Sequence, residues 1–506
     1  MIPPDREAAE LQALVGRWFR VYEVTVRGEV MALHVQVNAA TLEKDFEALR
    51  LELGTRGFIP FITKERGEHL LYLQRKPPPK FWSTKVNLVL LIVTILTTGF
   101  AGALSWASYD GKSSIDADAT LKGIVFFSIP LLLILGIHEM GHYVVARRYK
   151  VAASLPFFIP SIPPLGTFGA MISMREPIPT RRALMDIGAA GPLLGFAVAI
   201  PVTLAGLFLT SADPRAASVN TGGGLVLETP IFFQLLQLFV PLPSNTVVHP
   251  TLFAGWVGIF VTALNLLPAG QLDGGHIARA LLGERAKYAS YAAVALMILL
   301  SIRGQIGWSI IALLIIFLGL RHPPPLNDLV PLDRRRILVG VMAGIILVTS
   351  FVPFPFGEVP VDPGLEFREG SAGGVANTTL AVSGPQNSTV NRTFAVVNTG
   401  NLLLDVTLEL ENPFRPYNWT MNLTTVPETG NASVGVEVFP SGFRFRLNAT
   451  EHVVFRVAID IPPGTLANEY LFSITTEVVA IMSGSRTEIP ATLFRPPTLT
   501  IQVTVT

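Results

Sequence analysis

Residues 131–150 read LLLILGIHEMGHYVVARRYK. The run opens apolar, turns ionisable at His138, Glu139 and His142, and ends basic at Arg147, Arg148 and Lys150. An ionisable side chain at the centre of a membrane-spanning helix costs about 2.5–3.5 kcal/mol on insertion scales, so residues of this kind mark function. At i and i+4 the two histidines share one helical face, a turn apart. That spacing lets two ring nitrogens reach one zinc ion at about 2.0–2.1 Å, with the glutamate between them acting as general base on a water that the metal activates. A histidine pair hydrogen-bonded inside a bundle, or a coincidence in an amphipathic surface helix, is the plainer alternative. Three polar groups within an apolar span weigh against it.

Composition supports a membrane setting. Of 506 residues, 50% are hydrophobic and only 15% charged, and the mean hydropathy is +0.48, which fits a membrane protein better than a soluble enzyme. The net charge of +1, with no long basic run, removes the electrostatic case for a nucleic-acid partner. The chain has no cysteine, so disulfides and thiolate ligands are excluded and a metal must be held by His, Asp or Glu. The opening MIPPDREAAELQALVGRWFR is charged and lacks an apolar core. It is expected to be neither a secretory signal nor a transit peptide, leaving the N-terminus in the cytosol.

Three regions emerge. Residues 1–80 are expected to form a small cytosolic α+β domain: RVYEVTVRG, VMALHVQV, FIPFI and HLLYLQ read as strands, TLEKDFEALRLELGTRG as a helix, and RKPPPK as a linker. Residues 81–358 are expected to be a polytopic α-helical membrane domain of about seven spans, at roughly 83–107, 121–146, 183–210, 250–269, 287–302, 305–320 and 336–354. With the N-terminus inside, Arg147, Arg148, Lys150, Arg181, Arg182, Arg279, Lys287 and Arg334 to Arg336 fall in short inner loops, whereas the short outer loops hold only Lys112, Lys122, Arg215 and Arg303. That asymmetry is what the positive-inside rule requires.

An odd number of spans places residues 359–506 outside, as an all-β sandwich rich in alternating runs such as HVVFRVAIDI and TLTIQVTVT. Glycosylation sequons begin at Asn377, Asn387, Asn391, Asn418, Asn422, Asn431 and Asn448, and nowhere earlier in the chain. Two stretches fit no span. SLPFFIPSIPPLGTFGAMISM (154–174) is apolar but too proline-rich for a helix, and reads as a re-entrant or hairpin-like loop. IFFQLLQLFVPLP (231–243) is too short to cross and reads as an outer-interface segment.

A catalytic zinc takes three protein ligands and keeps one position open. The segment GIFVTALNLLPAGQLDGGHIARALLG places Asp273 just after a Pro268–Gly270 helix break, at the same depth as His138 and His142 if both spans run inward. His276, His249 and Asp186 fit that depth less well, and the plainer alternative for Asp273 is an ordinary turn aspartate. Asn265 suits either a hydrogen bond to substrate backbone or oxyanion, or an interhelical amide bond.

His138-Glu139-x-x-His142 with Asn265-x-x-Pro268-x-x-x-Leu272-Asp273-Gly274 resembles the site-2 protease family of intramembrane zinc metalloproteases. MDIGAAGPLLG, HPTLFAGWVGIFVTALNLLPAG, RHPPPLNDL and the 154–174 loop are similar to the plant chloroplast EGY branch and its archaeal and bacterial relatives, over roughly residues 20–335. The resemblance implies one Zn2+ per chain held by His138, His142 and Asp273, Glu139 as base, and a transmembrane protein in the lipid bilayer as substrate. It also implies that the 154–174 loop, through Phe168 and Gly169, presents substrate as an extended strand beside Asn265. The tail departs from that family and is similar to Ig-like modules of archaeal surface proteins, which points to a prokaryotic, archaeal plasma membrane. A membrane-anchored adhesion or sensor protein with a structural or vestigial metal site is the competing expectation.

Overall fold

The computed structural model describes residues 4–27, 30–76, 84–110, 112, 114–213, 225–242, 247–303, 307–358, 362–411, 419–426, 434–439, 442–449, 451–482, 485–489 and 493–506. The linker prolines 77–79, Trp82, the turn 304–306 and the sequons at Asn418 and Asn431 lie outside the described residues. The chain divides into two compact units, the first comprising Met1–Asp213, Glu228–Leu242 and Val248–Pro355, the second Pro214–Leu227, Pro243–Val247 and Phe356–Thr506.

The first unit begins with α1 (Pro4–Val15), β1 (Arg20–Arg27), β2 (Val30–Gln36), α2 (Leu42–Thr55), β3 (Phe58–Glu65) and β4 (Glu68–Arg75). The four strands pair antiparallel in the order β1-β2-β4-β3. Burial alternates along β2 and β3, the period-two signature of a sheet with one covered face. Phe46, Leu49 and Leu53 of α2 and Leu14 of α1 supply the cover. Helix α1 was not among the expected elements. Its signal is a proline in the first turn followed by the helix formers of EAAELQALV. Strand β3 is an edge, and the chain at Leu326 to Val330 closes it: Ile62 N–H donates to the Leu326 carbonyl at 2.9 Å, while Leu326 and Val330 enter the same core.

The helices follow: α3 (Thr84–Tyr109); α4 (Ala117–Gly123), continuing through a π turn at Ile124–Ser128 into α5 (Ile129–Arg148); α6 (Arg181–Ala212); α7 (Ile231–Gln237); α8 (Pro250–Asn265); α9 (Asp273–Leu282), continuing into α10 (Ala286–Ile302); α11 (Gly307–Leu318); and α12 (Arg334–Ser350). Among the described residues four are long and apolar enough to cross a membrane, namely Thr84–Tyr109, Ala117–Arg148, Arg181–Ala212 and Asp273–Ile302. Helices Pro250–Asn265 and Gly307–Leu318 are apolar but shorter, and the 17 residues of α12 begin with three arginines. The expected 250–269 span therefore ends as a helix at Asn265, and the expected 287–302 span begins earlier, at Asp273. Pro268 has no N–H to continue α8, and hydropathy does not see that.

Strands β5 (Phe157–Pro160) and β6 (Thr167–Met171) make an antiparallel hairpin between α5 and α6. It runs along α3: Asn87 Nδ2 donates to the Leu155 carbonyl at 2.7 Å, and Thr97 Oγ1 to the Gly166 carbonyl at 2.6 Å. Ten residues of helix separate those anchors, about 15 Å at 1.5 Å per residue. Gly166 sits at φ +74°, where a Cβ would lie 2.4 Å from the Thr97 carbonyl oxygen. Only glycine fits both the conformation and the space.

In the second unit β7 (Leu225–Leu227) pairs with β8 (Phe356–Glu358). Two further sheets comprise β9 (Leu365–Glu369), β10 (Thr379–Gly384), β11 (Ser388–Asn398), β12 (Leu403–Glu411), β13 (Thr420–Val426), β14 (Val436–Phe439), β15 (Gly442–Leu447), β16 (His452–Ile461), β17 (Glu469–Met482), β18 (Ser485–Glu488) and β19 (Leu499–Val505). One has the order β10-β19-β17-β12-β15-β14 with β18 on β17, the other β13-β16-β11-β9. Phe394 and Phe455 from the smaller sheet and Phe445, Leu404 and Ile501 from the larger share one core, the arrangement of a sandwich. Asn377, Asn387, Asn391, Asn422 and Asn448 are all exposed.

Replacing Gly166 with valine should unseat the hairpin from α3 while leaving the helices assembled. Limited proteolysis of the detergent-solubilised chain checks this, with new cleavage expected within 154–174 and nowhere in α3.

Candidate metal centre

The centre forms where α5, α6 and the start of α9 meet. His138 and His142 point from one face of α5 and are each 4% exposed. They fit against α6 because that helix carries glycine at the facing positions. A Cβ on Gly191 would fall 2.0 Å from His142 Nε2, and one on Gly195 3.1 Å from His138 Nδ1. His142 Nδ1 meets the Ile187 carbonyl of α6 at 2.7 Å. A carbonyl only accepts, so Nδ1 carries the proton and Nε2 of the neutral ring turns a lone pair inward. Such a backbone partner is the usual orienting device of a metal-binding histidine.

Asp273 arrives from the other side. After α8 ends, Gly270 turns the chain at φ +54°. Gly274 and Gly275 then pass so close to the carbonyls of Leu266 and Gly270 that a Cβ would lie 2.0 and 2.3 Å from them. This tight turn sets Asp273 as the first residue of α9, where the helix N-terminus favours a negative charge. Its Oδ2 lies 3.1 Å from His138 Nε2 and 3.2 Å from His142 Nε2, and the two Nε2 atoms are 3.2 Å apart.

Three donor atoms thus form a nearly equilateral triangle with sides of 3.1–3.2 Å. A tetrahedral zinc ion with bonds of about 2.0–2.1 Å requires ligand atoms about 3.3–3.4 Å apart, so the donor set fits the metal in type and spacing. With the His142 proton on Nδ1, its Nε2 lone pair faces both the Asp273 carboxylate and the other imidazole, a position where a metal ion would stand in place of a proton.

Glu139 lies beside the triangle, with Oε1 3.8 Å from His138 Nε2; His138, Glu139 and His142 together offer ligand atoms within 4.8 Å of one another. Its carboxylate receives the backbone N–H of Ile172, one residue past β6, which brings the hairpin to the centre. Asn265 Nδ2 is 3.4 Å from His138 Nε2. Phe168 and Gly169 stand on β6; Phe168 is 80% exposed, and Gly169 has φ +106° with open space where a Cβ would be.

The other histidines and acids weighed at the outset lie elsewhere. His249 caps α8 through Thr251 N–H amid the rings of Trp106, Tyr109 and Phe126. Asp186 binds Arg336 and the Tyr149 hydroxyl; burial and that carboxylate push the phenol up to about 12, so it remains a donor. Ile187, Gly191 and Gly195 were not singled out in the sequence as parts of the site. Their only trace there is the spacing of glycines in MDIGAAGPLLG.

Residues 126–302 match the model of Peptidase family M50. The chain is 30% identical over 302 residues to the probable zinc metalloprotease EGY1, chloroplastic, of Arabidopsis thaliana, covering 54% of this chain and 54% of that protein. It is 30% identical over 260 residues to the probable zinc metalloprotease EGY2, chloroplastic, of the same plant, covering 49% and 45%. With the probable zinc metallopeptidase EGY3, chloroplastic, it shares 30% over 266 residues, covering 47% and 44%. The chain spans about half the length of the curated relatives it matches. Among solved structures, a non-cellulosomal cohesin from the hyperthermophilic archaeon Archaeoglobus fulgidus covers 28% of the chain at 13% identity with a TM-score of 0.18, too low to carry any argument.

Changing Gly191 to alanine should displace His142 and lower bound zinc at least about tenfold, as should Asp273→Ala, because each change takes one donor atom out of the triangle. Metal analysis of purified protein checks this; full zinc occupancy in Gly191→Ala would contradict the assigned geometry.

Proposed function

We propose, from the premise that this chain belongs to Peptidase family M50 through residues 126–302, that it is an intramembrane zinc endopeptidase of the site-2 type. The observation that carries the reading is the donor triangle of His138, His142 and Asp273 with a fourth polar group, Glu139, beside it rather than within it. A structural zinc site is closed by four protein ligands, so a three-ligand centre with an adjacent carboxylate favours catalysis over the adhesion or sensor alternative.

When bound, zinc would polarise the scissile carbonyl and make water a competent nucleophile near neutral pH. The remaining work belongs to the chain. Glu139 takes the proton from the attacking water and returns it to the leaving amine. Ile172 N–H holds the Glu139 carboxylate in place, and Ile187 holds His142 in its ligating tautomer. Asn265, at 3.4 Å from His138, is placed to donate to the carbonyl oxygen as charge builds on it.

The substrate is a transmembrane segment of another protein, unwound locally, since a helical backbone hides its carbonyls in its own hydrogen bonds. The hairpin suits this role: β6 leads directly to the Glu139 partner Ile172, and Phe168 and Gly169 offer an apolar side chain and an open backbone to an added strand. We assign residues 1–80 to a cytosolic domain, 81–358 to a membrane domain of about seven spans and 359–506 to an outer sandwich. The exposed sequons lie on this sandwich, and the membrane is the plasma membrane of an archaeal prokaryote.

Glu139→Gln should retain zinc and lose cleavage by about 10²–10⁴-fold, the usual range for removing a general base. Reconstitution with single-span substrates trapped on the Glu139→Gln protein checks this. Normal turnover by that variant would overturn the reading.

A further inference from the structure

A cavity of about 330 Å³ opens among α9, α10, the 321–328 segment and strand β3. Arg279, Lys287, Arg321 and His322 line it, with the carboxylates of Glu284 and Asp328. The charges do not cancel. Asp328 is occupied by Arg279, which is 5% exposed and pairs with it at 2.7 Å, and by Arg181 at 3.6 Å. Lys287 and Arg321 have no carboxylate partner among the described residues, and Glu284 alone stands opposite them. His322 donates from Nδ1 to the Pro323 carbonyl at 2.6 Å and meets the His276 ring edge-on, with centroids 4.3 Å apart. Burial, together with electrostatic repulsion from His276 and Arg279, lowers it to about 4. The backbone at Gly283 has φ +62°, and a Cβ there would stand 3.7 Å from Arg279 and 3.9 Å from Arg181.

Two further points identify the ligand class. Lys287 lies in the first turn of α10, just past the Gly283–Arg285 turn that separates it from α9, with its ammonium 5.1 Å from the Tyr288 ring, and Arg321 follows α11 by three residues, so both cations flank the ends of apolar helices, where a lipid headgroup would carry the complementary charge. The remaining polar lining, Thr63, Ser290 and Glu284, suits hydroxyl groups rather than a second phosphate, since a carboxylate repels an anion but accepts from a hydroxyl. We propose that this cavity binds a phosphate ester bearing free hydroxyls, of the glycerol-phosphate type, with the phosphate on Lys287 and Arg321 and the hydroxyls on Glu284 and its neighbours. Its occupant would rest on the helix that begins with Asp273 and touch the edge strand of the N-terminal sheet, joining the two.

The inference concerns binding and stands apart from any peptidase activity. It is tested by calorimetric titration of the full chain in uncharged detergent with sn-glycerol 3-phosphate and, separately, with dihexanoyl phosphatidylglycerol, using dihexanoyl phosphatidylcholine as control. Saturation by glycerol phosphate supports a soluble ligand; preference for the phosphatidylglycerol over the choline lipid supports a headgroup. In either case Lys287→Ser with Arg321→Ser, and separately Arg321→Glu, should weaken binding at least about tenfold, the scale of one charge-assisted hydrogen bond, while zinc content and Tm stay as in the parent. Absence of saturable binding by either anion at millimolar concentration, or equal binding by both variants and the parent, overturns the proposal.

Discussion

The hydrogen bond from His142 Nδ1 to the Ile187 carbonyl is the constraint on which the centre depends. Ile187 is an interior residue of α6, so its carbonyl would ordinarily accept from the N–H four residues on. The imidazole reaches it only because Gly191 leaves the surface of α6 flat at that point. Once Nδ1 is engaged, Nε2 has one orientation and one role. The i, i+4 spacing on α5 then places His138 beside it, and the glycine-bounded turn before α9 delivers Asp273 to both. Three elements far apart in sequence meet at atoms 3.1–3.2 Å apart because the Ile187 carbonyl holds His142 and the tight turn before α9 sets the position of Asp273.

This design matters in a low-dielectric setting. An unpaired carboxylate and two imidazoles among apolar helices would be costly, and loosely held ones would shift or neutralise. Rigid support from Ile187, Ile172 and the Gly274–Gly275 turn stops the polar groups from finding other partners. The same logic extends to the ends of α5, α6 and α12. Tyr149, Asp186, Asp333 and Arg336 bind one another, and Asp186 is the residue before Ile187, so the network also fixes the start of the helix that orients His142.

The side chains that meet at the centre were legible in the sequence, and the parts that hold them were not. His138, Glu139 and His142 declare themselves through helical spacing in an apolar run, and Asp273 through a Pro-Gly break followed by a carboxylate and two glycines. A backbone carbonyl such as that of Ile187 has no chemical signature, and Gly191 reads like any small residue in a packed helix. The helix ends were misplaced for a related reason. LNLLPAGQL is apolar throughout, so hydropathy carries a span across the loss of the Pro268 N–H. The 154–174 loop was recognisable as non-helical from its prolines, but its pairing and its seat on α3 rest on Asn87 and Thr97, which look like ordinary polar residues in a span.

The N-terminal sheet shows the same limit at larger scale. Its strands alternate clearly enough to be read, and on that basis residues 1–80 look self-contained. Yet β3 leaves an edge, and an unpaired edge must be covered, charged or paired. Residues 326–330, more than 260 positions later, pair with Ile62 and bury Leu326 and Val330 in that core. Asn327 bridges both Ile62 and Thr180, the cap of α6. The sheet is thereby joined by backbone to the helix that presents Ile187 and Gly191. Displacement of the N-terminal domain would load α6 before it loaded any other part of the centre, because that bridge is main chain whereas ties such as Arg50 with Tyr149, Glu43 with Arg182 and Lys76 with Glu176 run through side chains that can yield.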